Sequence, residues 1–341
     1  MDVDDVVAAI REQEEARQGA AADIRDQLEE ADDPVGFIHG VDPVAPDAVT
    51  VAAVDGGLAH ESFHGLDIVM TRSVAPVFTY QDGSLDDAVY HPSTSPSPTV
   101  ETVTENMQRQ AVDRLATLQR LQEEIAAAAE VVTDADILLL DGSLVPQPRD
   151  RPDDDSPLFD TYQDVIGQYQ DLYQAAAANG TVLAGVVEDS RSSHLTGALE
   201  NHGVDPSPAA EMRDTVLLSH LLEPGERTVA VRYSDRATPV FEDIALDPDD
   251  IGVFYLAAAR NDRPVRIELY QHADHDVDQV AGELLGLSGA DDSYAVPPVL
   301  VEADQRAKLD RQDVELVTKR VQAKLAHLPG VAELRRDRRP F

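Results

Sequence analysis

Two apolar runs of this chain end alike: VAAV leads into Asp55 and two glycines, and ILLL, residues 137–140, leads into Asp141, Gly142 and Ser143. Aliphatic and β-branched runs of this kind suit buried strands. Strand ends are where open α/β sheets keep their sites, so both carboxylates are candidates for chemistry. A third comes from the helix expected between them, whose buried stripe is Met107, Ala111, Leu115, Leu118, Leu121 and Ile125. At about 100° per residue, Glu124 falls on the flank of that stripe beside Leu121 and Thr117, and Glu123 nearly opposite. Three converging carboxylates repel one another unless a cation neutralises them, and hard oxygen donors suit Mg²⁺ or Mn²⁺. Such ions bridge a phosphodiester, activate water and stabilise the leaving oxygen of an in-line displacement. A competing reading is purely local. Asp-Gly is a common hairpin dipeptide, and on that reading Asp55 and Asp141 close turns while Glu124 is solvated.

The elements that must position these residues follow from periodicity. Residues 3 to about 30 read as a charged helix, a weakly anchored arm by itself. Strand-like segments from 50 to about 80 suggest an antiparallel meander behind the first aspartate. The Pro/Ser/Thr loop HPSTSPSPTV then precedes a helix over about 102–130. A Pro/Asp-rich exposed loop follows ILLLDGSL. A helix over 162–178 ends at Asn179 and Gly180, a C-cap pair, before the strand TVLAGVVED. Further strands are expected at RTVAVRYSD and RPVRIELYQ, and helices near 209–222, 277–285 and 302–328. There is no repeat of fixed period. This order predicts an α/β fold, a mixed sheet covered on both faces. We divide the chain into an N-terminal helical arm at 1–40, one elaborated domain at 41–330 and a basic tail at 331–341.

Composition bounds the setting. The 341 residues, 43% of them hydrophobic, allow a sizeable core. The 65 acidic and 27 basic residues give a net charge of -38, with lysine only at Lys308, Lys319 and Lys324. The acidic residues are spread through helices and loops, which reads as adaptation to concentrated salt, where screening suppresses self-repulsion. In such salt, acidity is a weaker argument against a nucleic-acid partner, because phosphate binding must lean on shape, metal and local arginines. Absence of cysteine excludes disulfides and thiolate metal sites. No apolar run reaches the roughly 20 residues of a membrane span, and a cytoplasmic location is expected.

Taken together, VAAVDGG, ILLLDGSL, the intervening helix with RLQEEI and the following VLAGVVEDSRSSHL resemble the NurA family of archaeal DNA-end-processing nucleases. The similarity runs from about Thr50 to the final helix. It implies a ribonuclease H-like core and a Mn²⁺-dependent (or Mg²⁺-dependent) nuclease, acting 5′ to 3′ on single- and double-stranded DNA with single-strand endonuclease activity. It also implies a homodimer, partnered with the HerA hexameric helicase-translocase beside the Mre/Rad complex. The family's metal-binding carboxylates match Asp55, Glu124 and Asp141.

Two positions depart from the family pattern. The family commonly has a histidine near the start of a late helix, where YAVPPVLVEADQRAKL has Asp304, either an oxygen ligand or a cap of the final helix. A lysine common after VLAGVV is missing, so phosphate contact there would fall to Arg191, Ser192 or Ser193. These departures keep open a catalytically impaired DNA- or helicase-binding subunit of the same fold. A metal phosphohydrolase acting on small phosphates is a third reading. His60 and His64 near Asp55, and His272, His275 and Asp276 in YQHADHD, are weaker candidates, the latter group read as solvated. The tail ELRRDRRPF reads equally as a DNA contact or a solvated end.

Overall fold

The structure, a computed structural model, describes residues 2–325 apart from 32–34, 64–65, 95, 104–106, 189, 191–194, 234–236, 273–274 and 289–292. The strands are β1 (Ile38–Gly40), β2 (Val49–Phe63), β3 (Leu66–Gln81), β4 (Ser84–His91), β5 (Thr99–Val103), β6 (Ile137–Asp141), β7 (Val182–Val187), β8 (Glu226–Thr228), β9 (Val231–Arg232), β10 (Ile251–Ala257) and β11 (Val265–Tyr270). The helices are α1 (Val3–Glu30), α2 (Arg109–Val131), α3 (Phe159–Asn179), α4 (Leu195–Asn201), α5 (Asp214–Leu221), α6 (Thr238–Ile244), α7 (Val277–Ser288), α8 (Pro298–Ala307) and α9 (Arg311–Leu325). One mixed sheet runs in the order β1-β8-β10-β11-β7-β6-β2-β3-β4, with β5 beside β3 and β9 beside β10.

The central part of this order is a ribonuclease H-like core. β2, β3 and β4 form an antiparallel meander, β6 lies parallel to β2, and β7 parallel to β6. The helices α2 and α3 supply the connections into β6 and β7, as parallel neighbours require. Strands covered on both faces must be apolar throughout. Accordingly Ile137 to Leu140 of β6 and Val182 to Ala184 of β7 are buried. One face packs on α2, α3 and α6 through Ala52, Val54, Leu138, Leu140, Ile125 and Tyr169. The other packs on α7 and α8 through Val51, Ala53, Leu139, Val299 and Ala303.

Several boundaries differ from the periodicity. β2 does not stop at Asp55 but continues through both glycines to Phe63, paired along this length with β3. The helix expected from 102 starts at Arg109, because Thr99–Val103 pairs with β3 instead. Within it, Val112, Ala116 and Glu124 join Leu118, Leu121 and Ile125 as buried residues, while Ala111 and Leu115, and Met107 ahead of the helix, are only partly buried. The helix expected over 302–328 is two helices. Asp310 interrupts it and caps α9 by accepting from the backbone N–H groups of Gln312 (2.7 Å) and Asp313 (2.9 Å). RTVAVRYSD divides into β8 and β9, and β10, a wholly buried strand, was not anticipated. The Gly180 C-cap is as expected, left-handed at φ 78°.

The arm is anchored at one end only. Ala21 and Ile24 of α1 are buried against α4 and α5, and the Arg25 guanidinium donates to the carbonyls of His220 and Leu221. Its first three turns expose Val3, Val6, Val7 and Ile10. No helix among the described residues is long and apolar enough to cross a membrane. The tail at 331–341 lies outside the described residues.

Candidate metal centre

Strand alternation sends Asp55, with Val51 and Ala53, to the face covered by α8. Asp141 follows Leu139 onto the same face. α8 lays Val299, Leu300, Ala303 and Ala307 on the sheet, and Asp304 projects beside them at the exposed edge. One carboxylate oxygen from each of Asp55, Asp141 and Asp304 lies within 4.8 Å of the other two. Three elements far apart in sequence therefore deliver oxygen donors to one point. A cleft of about 430 Å³ opens over it, lined by Asp141, Gly142, Glu188, Tyr294, Val301 and Asp304.

The two glycines after Asp55 have a tertiary purpose. Neither adopts a left-handed conformation. A Cβ at Gly56 would stand 3.0 Å from Arg120 Cγ and 3.0 Å from Glu124 Oε2, both on α2. A Cβ at Gly57 would stand 2.0 Å from the carbonyl oxygen of Ala307 in the last turn of α8. The missing side chains let one helix close on each face of β2, next to the aspartate between them. Opposite Gly57 in register, Arg72 of β3 secures the α8–α9 joint: it donates to the Lys308 carbonyl (3.2 Å) and pairs with Asp313 (3.0 Å). Gly142 is a turn glycine in the ordinary sense, at φ 119°.

Glu124 is buried, as the helical phase anticipates, and its partner is Arg120 one turn earlier. It borders Gly56 on the α2 side of the sheet, so it flanks the aspartate cluster and is not one of the three mutually close groups. Glu123 is half-buried. Asp304 does not cap α9; that place is taken by Asp310. Arg191, Ser192 and Ser193 lie outside the described residues, as does His64. His60 pairs with Asp67 (2.9 Å), outside the cluster. His272 and His275 are half-buried and not solvated: His272 stacks on Tyr270 at 4.8 Å, and the two imidazoles are 5.2 Å apart. Asp276 is exposed. Sequence reasoning overlooked Arg120, although its i,i+4 spacing to Glu124 is a local signal. It also overlooked Tyr294 on the cleft wall, for which no signal existed.

The electrostatics are those of a site short of positive charge. Burial, then repulsion from Asp55, Glu188, Glu124 and Asp304, pushes Asp141 up to about 8. Burial also raises Glu124 to about 7, against the pull of Arg120. Asp55 is raised by burial too, opposed by the Gly56 N–H (2.6 Å) and Arg120. A divalent cation relieves such a cluster, and an all-oxygen donor set fits Mg²⁺ or Mn²⁺.

A ribonuclease H-like sheet carrying an acidic cluster on its central strands defines the class: a mixed α/β protein whose three aspartates are a candidate metal centre. The chain belongs to the NurA family, since the model of the NurA domain matches residues 49–309. It is similar in fold to the NurA nuclease from Sulfolobus solfataricus, at 15% identity and a TM-score of 0.62, covering 94% of this chain and 96% of that one. A NurA structure bound to dAMP and manganese matches at 11% identity and a TM-score of 0.60, covering 96% and 97%. A further NurA structure with manganese matches at 11% identity and 0.56, covering 86% and 93%. No curated protein sequence matched the chain.

Proposed function

We propose that this protein is a divalent-metal-dependent DNA nuclease, a phosphodiester hydrolase with Asp55, Asp141 and Asp304 as metal ligands. The observation that carries this reading is the meeting of those three carboxylates on the core of a NurA-family fold. When bound, Mn²⁺ or Mg²⁺ would supply charge neutralisation, an activated water and stabilisation of the leaving oxygen. The chain's own residues do the rest. Asp55 and Asp141 hold their carboxylates on rigid central strands, and α8 brings Asp304 to the mouth of the cleft. Arg120 keeps Glu124 in place against Gly56, where its charge borders the cluster and can orient a ligand or accept a proton. A NurA relative binds dAMP together with manganese, which supports a nucleotide as the group presented to this cleft.

Family membership further supports 5′ to 3′ exonuclease action on single- and double-stranded DNA, single-strand endonuclease action, a homodimer, and work with a HerA-type helicase and the Mre/Rad complex in end resection. The charge of -38 supports operation in concentrated salt. Of the two departures behind the impaired-subunit reading, Asp304 offers an oxygen donor where the family has histidine, while the missing lysine still favours that reading. End-labelled single- and double-stranded DNA, incubated with Mn²⁺ in molar KCl, tests the proposal. Cleavage abolished by EDTA and by Asp141→Asn is expected. Intact DNA with either metal, or cleavage indifferent to EDTA, would overturn it, and hydrolysis of free nucleotides alone would select the small-phosphate reading.

A further inference from the structure

Behind Asp141, on the sheet face opposite Asp304, lies a buried acidic side chain that the metal centre does not use. Glu268 of β11 has no exposed surface. Its Oε2 accepts hydrogen bonds from Ser143 Oγ (2.8 Å) and from the Leu144 backbone N–H (2.9 Å). Its Oε1 lies 2.7 Å from the Arg266 guanidinium, which itself sits over the Tyr233 ring at 5.1 Å. The Tyr233 hydroxyl is 2.9 Å from Ser143 Oγ, and the Tyr173 hydroxyl donates to the Leu144 carbonyl (2.7 Å). Gly142 is tied to β7 by its N–H, which donates to the Val186 carbonyl (2.9 Å), and beyond it the hydrogen bonds of Ser143 and Leu144 lead to this network.

The register explains how the segment gets there. Glu268 stands opposite Gly185 of β7, and Gly185 opposite Leu140 of β6, so the three form a row across the sheet. The chain leaving Asp141 reverses at Gly142 and lies over Gly185. A Cβ on Gly185 would be 2.5 Å from the Gly142 carbonyl oxygen and 3.0 Å from the Leu144 nitrogen. The glycine makes the room, and the glutamate beyond it collects the two donors that arrive.

We infer that Glu268 is a positioning residue, which fixes residues 142–145 and through them the direction of the Asp141 carboxylate toward Asp55 and Asp304. This rests on the reading of the aspartates as a metal centre. The acid is required, not merely its shape: in Glu268→Gln the amide NH₂ would confront the Arg266 guanidinium or the two donors of the loop, leaving buried donors unmatched. Groups that orient metal ligands from behind typically contribute about 10- to 100-fold in affinity or activity.

The test uses the full chain, with Glu268→Gln and Ser143→Ala as variants and three readouts: calorimetric Mn²⁺ affinity, kcat and KM on single-stranded DNA, and amide exchange across 142–145. Glu268→Gln is expected to weaken Mn²⁺ binding and lower kcat by about tenfold or more, with KM for DNA within about twofold and exchange of the loop amides faster. Ser143→Ala, which leaves the Glu268–Arg266 pair whole, is expected to move the same quantities by less. A purely structural role would lower the melting temperature while leaving affinity and kcat of the folded molecules unchanged, and that result overturns the inference. If Glu268→Gln does not fold, Ser143→Ala decides alone, and unchanged Mn²⁺ affinity and loop exchange there overturn it. A wild-type chain that binds Mn²⁺ yet leaves DNA intact would remove the nuclease reading, while affinity and exchange in the variants still judge the role of Glu268.

Discussion

Gly57→Ala separates a turn glycine from one that admits a helix. The residue lies in extended backbone within β2, so on conformational entropy alone alanine should stabilise the protein by about 0.4–1 kcal/mol. The added Cβ, however, would stand 2.0 Å from the Ala307 oxygen and 2.8 Å from its carbonyl carbon. Both are backbone atoms, so no side chain can rotate away, and the last turn of α8 must retreat by roughly 1 Å or more to restore van der Waals contact. Overpacking of this kind costs about 1–3 kcal/mol, which exceeds the entropic gain. The retreat also carries Asp304, one turn before Ala307, out of reach of Asp55 and Asp141. A displacement near 1 Å at a reacting centre costs about 10²-fold in rate. We expect Gly57→Ala to melt lower than wild type, bind Mn²⁺ more weakly and cut DNA about 10²-fold more slowly. Gly167→Ala is the control, since a Cβ there meets nothing within 4 Å and removes a helical glycine from α3, for a gain of up to about 1 kcal/mol. Differential scanning calorimetry and Mn²⁺ titration in molar KCl read both variants. Gly57→Ala with wild-type stability and Mn²⁺ affinity would refute the close seating of α8 on β2.

Asp55→Asn and Asp141→Asn should each lower DNA cleavage by about 10²-fold or more while folding survives, because an amide keeps the size but removes a charged donor; near-normal turnover in Asp55→Asn would return that residue to a local role. Glu124→Gln should be clearly impaired and Glu123→Gln close to wild type in the same assay. With Asp141 held up to about 8 and Glu124 to about 7, the metal-free fold keeps protons that the unfolded chain has released above the ordinary carboxylate range. Metal-free stability should therefore fall as pH rises toward 8, by at most about 1.4 kcal/mol per pH unit for each group, and urea titrations of Asp141→Asn should show a flatter profile. Removing residues 1–13 takes exposed turns of α1 and spares Ala21, Ile24, Arg25 and the Glu14–His220 pair, so cleavage of short single strands should stay near wild type; we expect the exposed Val3, Val6, Val7 and Ile10 to serve partner docking, so helicase-coupled resection should weaken, and equal loss of both activities would contradict that role.

Much of the frame was legible because it is written locally. Parallel strands buried on both faces must be apolar throughout, so ILLL and VLAGVV announced themselves, and the aspartate closing the first stood out against them. Helical phase alone put Glu124 on the buried side of α2 and Glu123 away from it, since 100° per residue is a property of the backbone. Whether β2 would end at Asp-Gly-Gly could not be read that way. The same three residues make a turn in isolation and a continuous strand when β3 pairs beside them, and only the approach of α2 to Gly56 and α8 to Gly57 explains the missing side chains. The cluster itself is likewise tertiary. Asp304 stood as one of two readings until α8 proved to end before Asp310, which left the capping role to Asp310 and brought Asp304 against Asp55 and Asp141. Glu268 carried no signal at all, because an acid inside an apolar strand gains its meaning only from Gly185 and the loop that crosses it. Periodicity decides which face a residue takes; register across the sheet decides what it meets there.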